Sequence, residues 1–125
     1  MQVASKLHTQ VLNVLREMFP VTPIKEEVPI RVNGRTLFVD IWVDYPYNIL
    51  FEIQGEQHKK FVPFFHKTVS EFKDSVRRDR AKEAWAAEHR LPLIYVYEGD
   101  DISPEALQRK IDDAYRVIDS EFEDF

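Results

Sequence analysis

The fold turns on one stretch: Thr36-Leu37-Phe38-Val39-Asp40-Ile41-Trp42-Val43-Asp44, then Tyr45-Pro46-Tyr47-Asn48, then Ile49-Leu50-Phe51-Glu52-Ile53-Gln54. Side chains alternate along a strand. The first run therefore sets Leu37, Val39, Ile41 and Val43 on one face and Phe38, Asp40, Trp42 and Asp44 on the other. The second sets Phe51 and Ile53 against Leu50, Glu52 and Gln54. Proline cannot adopt the positive φ of a type I′ turn, so Pro46 argues for an odd-length connection rather than a two-residue loop. A hairpin pivoting on Pro46 brings Asp40 opposite Glu52, with Cβ atoms about 5 Å apart. A slip of one residue would send Glu52 to the other face.

Two convergent carboxylates in apolar strands need compensation, because burying a charge costs several kcal/mol or more. A divalent cation supplies it. Mg²⁺, with Mn²⁺ as substitute, takes one or two protein carboxylates plus water and phosphate oxygens. The alternative is an exposed face whose acids are solvated; Phe38, Trp42 and Leu50 on that face speak against it. Gln54 continues the Glu52 face and is placed to orient a water. His58, just beyond Gly55, is placed to act as general base or acid.

Outward from this hairpin, residues 5–19 read as an amphipathic helix capped by Ser5, with Leu7, Val11, Val14, Leu15 and Met18 at helical spacing. Glu27 to Val32 reads as an edge strand, since Pro29 lacks an N–H, and Asn33-Gly34 signals a tight hairpin. Residues 55–66 form an aromatic loop. Residues 67–89 form the longest helix, with a stripe at Val69, Phe72, Val76, Ala84 and Trp85. Leu93 to Tyr97 suits a buried strand. Ser103-Pro104-Glu105 opens a last helix ending near Ile118, before an acidic tail, 119–125, expected to fray. The order α-β-β-β-α-β-α predicts one α/β domain: a central mixed four-stranded sheet flanked by helices.

The 125 residues include no cysteine, which excludes disulfides and thiolate zinc sites. Neither a signal peptide nor a membrane span is expected, and the cytoplasm is the expected compartment. The net charge of −5 is unevenly spread. Residues 58–90 hold nine basic and five acidic residues, whereas residues 98–125 hold three basic and ten acidic. A basic middle can steer a polyanion locally, although a solvated helix face reads the same way. Lys59, Lys60, Arg77, Arg78 and Lys82 are phosphate-contact candidates, and His66 either packs or joins them. Asp79 either pairs within Arg77-Arg78-Asp79-Arg80-Ala81-Lys82 or points its charge at the site. The acidic last helix reads equally as a homodimer interface or a DNA mimic.

Leu37-Phe38-Val39-Asp40, Phe51-Glu52-Ile53-Gln54-Gly55-Glu56-Gln57-His58, Arg78-Asp79-Arg80-Ala81-Lys82 and Leu93-Ile94-Tyr95-Val96, in that order, resemble the PD-(D/E)XK nuclease superfamily. The closest look is to very-short-patch-repair endonucleases and phage-borne homing or nicking enzymes. The resemblance implies a restriction-endonuclease-like core and a Mg²⁺-dependent DNA endonuclease, with nicking expected of a single small subunit. It implies Asp40, Glu52 and the Ile53 carbonyl as metal ligands, and no small-molecule cofactor. The family's usual lysine is replaced by Gln54, leaving its role to His58 or to a lysine from elsewhere. The zinc of the short-patch branch has no ligands here. An acid that many relatives carry on the first helix is unassigned between Glu17 and the region of His8. A nuclease-like fold that binds DNA or protein without catalysis is the other reading.

Overall fold

A computed structural model of the chain describes residues 5–54 and 69–123. Helix α1 spans Lys6–Met18. Ser5 caps it, its hydroxyl accepting the His8 N–H at 3.0 Å. Strands β1 (Ile24–Val32) and β2 (Arg35–Val43) follow. Asn33 and Gly34 between them have φ of +51° and +79°, the backbone that a two-residue hairpin turn demands. Strand β3 is Ile49–Gln54, helix α2 Val69–Glu88, strand β4 Leu93–Tyr97 and helix α3 Pro104–Glu123. The Ser103 hydroxyl caps α3 by accepting the Ala106 N–H at 3.2 Å.

The strands form one mixed sheet in the order β1-β2-β3-β4. The first three are antiparallel neighbours, and β4 runs parallel to β3 across the α2 crossover. The expected element order and sheet type are therefore present. Two boundaries differ by more than two residues. Strand β1 starts at Ile24 rather than Glu27, and α3 continues through Glu123 instead of stopping near Ile118.

Two apolar clusters sandwich the sheet. Leu7, Val11, Leu12 and Leu15 of α1 and Leu107 and Ile111 of α3 bury Ile41, Val43, Ile49, Phe51, Ile94 and Val96. On the other side, Ala86, with Ala81 and Trp85 beside it, places α2 against Ile30, Val32, Leu37, Val39 and Leu50. The four alternating β2 residues Leu37, Val39, Ile41 and Val43 are all buried, yet they serve both clusters. The switch falls at Asp40. Opposite it, Glu27 sits between the paired residues Glu26↔Ile41 and Val28↔Val39 with φ +51°, a backbone conformation incompatible with a regular strand. The kink rolls the far half of the β1–β2 hairpin over α2.

Helix α2 keeps part of the expected stripe and departs from it at two residues. Ala84 and Val69 are exposed, whereas Phe72, Val76, Asp79, Lys82, Trp85 and Ala86 are turned inward to differing depths. At the other sheet edge, the outer side of β4 is guarded. Tyr97 N–H donates to Asp100 Oδ2 at 2.9 Å, and the Lys110 ammonium lies 3.4 Å from Asp100 and 3.5 Å from the Tyr95 carbonyl. Charged groups placed so discourage another strand from adding there. Among the described residues, no helix is long and apolar enough to cross a membrane.

Candidate active site

The β2–β3 ladder runs through Val43↔Ile49, Trp42↔Leu50 and Ile41↔Phe51, so paired numbers sum to 92. The connection between the strands is the five residues 44–48. This is the odd-length register that brings Asp40 opposite Glu52. Beyond Ile41 and Phe51 the backbone ladder gives way to side chains. Asp40 N–H donates to Glu52 Oε2 at 2.9 Å, and Ile53 N–H donates to Asp40 Oδ2 at 2.7 Å.

The kink explains the first of these bonds. Asp44 N–H donates to Pro23 C=O at the base of the β1–β2 pair, so an unbroken ladder would aim Asp40 N–H at Glu27. Glu27 has turned away, and the Glu52 carboxylate takes the donor. The second bond follows from the sheet's parity. Leu50 N–H and Gln54 C=O bond toward β4 (to Pro92 C=O and Glu98 N–H). Ile53, of opposite parity, therefore turns both its N–H and its carbonyl to the β2 side, where Asp40 stands.

Glu52 is 2% exposed. Its second oxygen, Oε1, lies 2.5 Å from the Lys82 ammonium, itself 14% exposed. Burial, then the Asp40 charge, push the Glu52 carboxyl up to about 7, and Lys82 only partly offsets them. Gln54 is equally buried, and its Oε1 has no hydrogen-bond partner among the described residues. An orphaned buried acceptor is costly and marks a place where a donor or cation fits.

Strand β4 closes the side. Tyr95 lies beside Glu52 and Tyr97 beside Gln54 in the parallel register. The Tyr95 hydroxyl donates to Glu83 Oε1 at 2.5 Å. Burial raises both phenols; at Tyr95 the hydrogen bond and charge of Glu83 come next and Asp79 adds less, and at Tyr97 the Asp79 charge comes next.

Lys82 requires a correction. It does not lie on the surface; it is turned inward as a partner of Glu52. The sequence held part of the signal, since Lys82 and Ala86 follow Asp79 at helical spacing, but nothing in it named Glu52 as the partner. Arg77 and Arg78 do lie on the exposed side of α2, where Arg77 pairs with Asp74 at 3.0 Å and Arg78 donates to Ser75 at 3.4 Å. Glu17 is exposed, while buried His8 bonds Glu26 at 2.9 Å through Nε2. His58, Lys59, Lys60 and His66 lie outside the described residues.

Among the described residues no three His, Cys, Asp or Glu side chains group as a metal cage. Two carboxylates and a backbone carbonyl nevertheless suit a hard, oxygen-seeking ion that keeps part of its water shell. The destabilised Glu52 anion and the orphaned Gln54 oxygen point the same way. Compared with known protein families, curated proteins and solved structures, the chain matches none.

Proposed function

We propose that the chain is a divalent-cation-dependent endonuclease that hydrolyses DNA phosphodiesters, built on the PD-(D/E)XK pattern that its motifs resemble. One observation carries the reading. Asp40 and Glu52 converge where the ladder opens, and an ammonium stands 2.5 Å from one of them.

Asp40, Glu52 and the Ile53 carbonyl would hold Mg²⁺ or Mn²⁺. Such an ion, when bound, polarises a phosphoryl oxygen and makes a bound water acidic enough to attack near neutral pH. The protein supplies the rest. Ile53 N–H and Asp40 N–H fix the two carboxylates, so each keeps its orientation without help from solvent. Lys82 brings to Glu52 a cation that Gln54 does not supply, and its ammonium can stabilise charge building on the phosphoryl oxygens. The Gln54 amide oxygen, without a partner among the described residues, can accept a hydrogen bond from a ligand or water at the buried end. Arg77 and Arg78, exposed on the same helix, suit phosphates further along a strand.

The test is cleavage of supercoiled plasmid by the purified full chain with Mg²⁺ or Mn²⁺, against Asp40→Ala and Glu52→Ala. Equal activity in all three would assign the cutting to a contaminant or another site.

A second reading, a nuclease-like module that binds without cutting, draws on the ion pair itself. Lys82 already pairs with Glu52 through its ammonium. Calorimetry with Mn²⁺ separates the two. DNA binding retained without any Mn²⁺ uptake favours the module.

A further inference from the structure

The way Lys82 holds Glu52 sets a condition on loading. On the endonuclease reading above, we propose that Lys82 is a resident counter-ion that must release Glu52 before a divalent cation settles on the carboxylate pair.

Of the four carboxylate oxygens, described residues engage three. Glu52 Oε2 accepts Asp40 N–H, Asp40 Oδ2 accepts Ile53 N–H, and Glu52 Oε1 accepts Lys82. Asp40 Oδ1 carries no hydrogen bond among the described residues. An ion bridging both side chains needs an oxygen from Glu52. Oε2 and Asp40 Oδ2 are held by backbone donors that form part of the sheet. Oε1 is held by the end of a flexible four-carbon stem, which can move while α2 stays anchored by Trp85 and Ala86. Each oxygen keeps a second lone pair for an ion, but only Oε1 already has a cation on it, so the contact that an incoming ion opposes is the one to Lys82.

The consequence is competition. Two cations on one buried carboxylate oxygen repel strongly, because little water screens them. The ammonium holds the Glu52 carboxylate and raises the threshold for the ion. Once displaced, it remains beside the site, available to a phosphate. Lys82 thus opposes metal binding while assisting turnover, and the two roles separate by substitution.

The experiment measures Mn²⁺ binding without DNA, by calorimetry and by Mn²⁺-dependent thermal shift, on the full chain. Wild type is compared with Lys82→Met and Lys82→Arg. Lys82→Met removes the competing charge and should bind Mn²⁺ about tenfold more tightly or better, which is the loss of one unfavourable charge contact. Its melting point should start below wild type and gain more from the ion. Lys82→Arg keeps the charge and grips a carboxylate in two places, so it should bind Mn²⁺ no better than wild type. It also keeps the test decisive should Lys82→Met fail to fold. Equal or weaker affinity in Lys82→Met, or tighter affinity in Lys82→Arg, overturns the counter-ion role. Absence of Mn²⁺ binding in all three folded proteins sinks the metal reading itself, and this inference with it.

Discussion

The β2–β3 hairpin carries carboxylates at both ends, and the two ends treat them in opposite ways. At the turn, Asp44 accepts Tyr45 N–H at 2.8 Å and meets the Lys25 ammonium at 3.1 Å. Those two bonds hold its carboxyl below the usual range. At the open end, Glu52 likewise accepts a backbone N–H and likewise has a lysine, closer still. Its carboxyl is pushed up instead. The partners are of the same kind, so they do not decide the outcome. Burial and the facing Asp40 do, because both penalise the anion. Asp44 is thus a turn lock whose charge is welcome. Glu52 is an anion held in an unfavourable place, the condition expected of a group waiting for a cation.

The strongest test of that contrast is activity. Asp40→Asn and Glu52→Gln should each cut Mg²⁺-dependent plasmid cleavage by more than about a hundredfold. Losing residues that merely orient metal ligands already costs about 10–100-fold, and these would be the ligands. Asp44→Asn should leave the rate within about twofold of wild type, since its ion pair sits in a half-exposed turn and contributes little. Comparable losses at both ends, measured as initial nicking rates, would erase the distinction.

Stability gives the next largest effect. Removing one partner of a buried ion pair costs about 3–5 kcal/mol. With Lys82→Met in the absence of metal, the loss should fall somewhat below that, at about 2–3 kcal/mol, because Glu52 can escape part of the penalty by taking a proton. Lys25→Met at the turn should barely move the unfolding midpoint, since Lys25 is well exposed. Urea titrations of both variants at neutral pH compare the ends directly. A Lys82→Met midpoint equal to wild type would mean the ion pair does not hold the site together.

Much of the hairpin was legible because its signals are local. Asn33-Gly34 names its turn, Ser5 and Ser103 name their caps, and Pro46 excludes the loop that would put Asp40 and Glu52 on different faces. The convergence of the pair followed from counting alone. Lys82 was not legible in the same way. Its partner is 30 residues away in sequence, and the contact depends on how α2 settles on the sheet. That docking is set by Trp85 and Ala86 meeting Leu50 and the rolled half of the β1–β2 hairpin. The helix is mostly polar, so apolar residues fixed its phase poorly, and Ala84 was mistaken for part of the stripe. The kink at Glu27 was equally hidden. A positive φ at a glutamate has no sequence signature, yet it frees the Asp40 N–H for Glu52 and divides the core in two.

The smallest effect is the most diagnostic, because its sign differs between the two ends. The Glu52 carboxyl rises from an ordinary 4.5 to about 7 on folding, so the folded state holds a proton that the unfolded state releases. Its contribution to stability is complete below about 4.5 and is lost as pH climbs through about 7. Asp44 is lowered from 3.8, so its contribution is present above that value and lost as pH falls through the folded one. Thermal melts of metal-free wild type, Glu52→Gln and Asp44→Asn from pH 3 to 8 should therefore diverge in opposite directions. Glu52→Gln should gain on wild type as pH rises from about 5 to 8, since glutamine keeps the shape and sheds the unwelcome charge. Asp44→Asn should fall slightly below wild type at neutral pH and rejoin it toward pH 3. Saturating Mn²⁺ should reverse the first trend and leave the second alone, because the ion stabilises the Glu52 anion and does not bind Asp44. Curves for both variants that stay parallel to wild type across the range would show that the two carboxylates sit in equivalent environments, and the contrast drawn between the ends would fail.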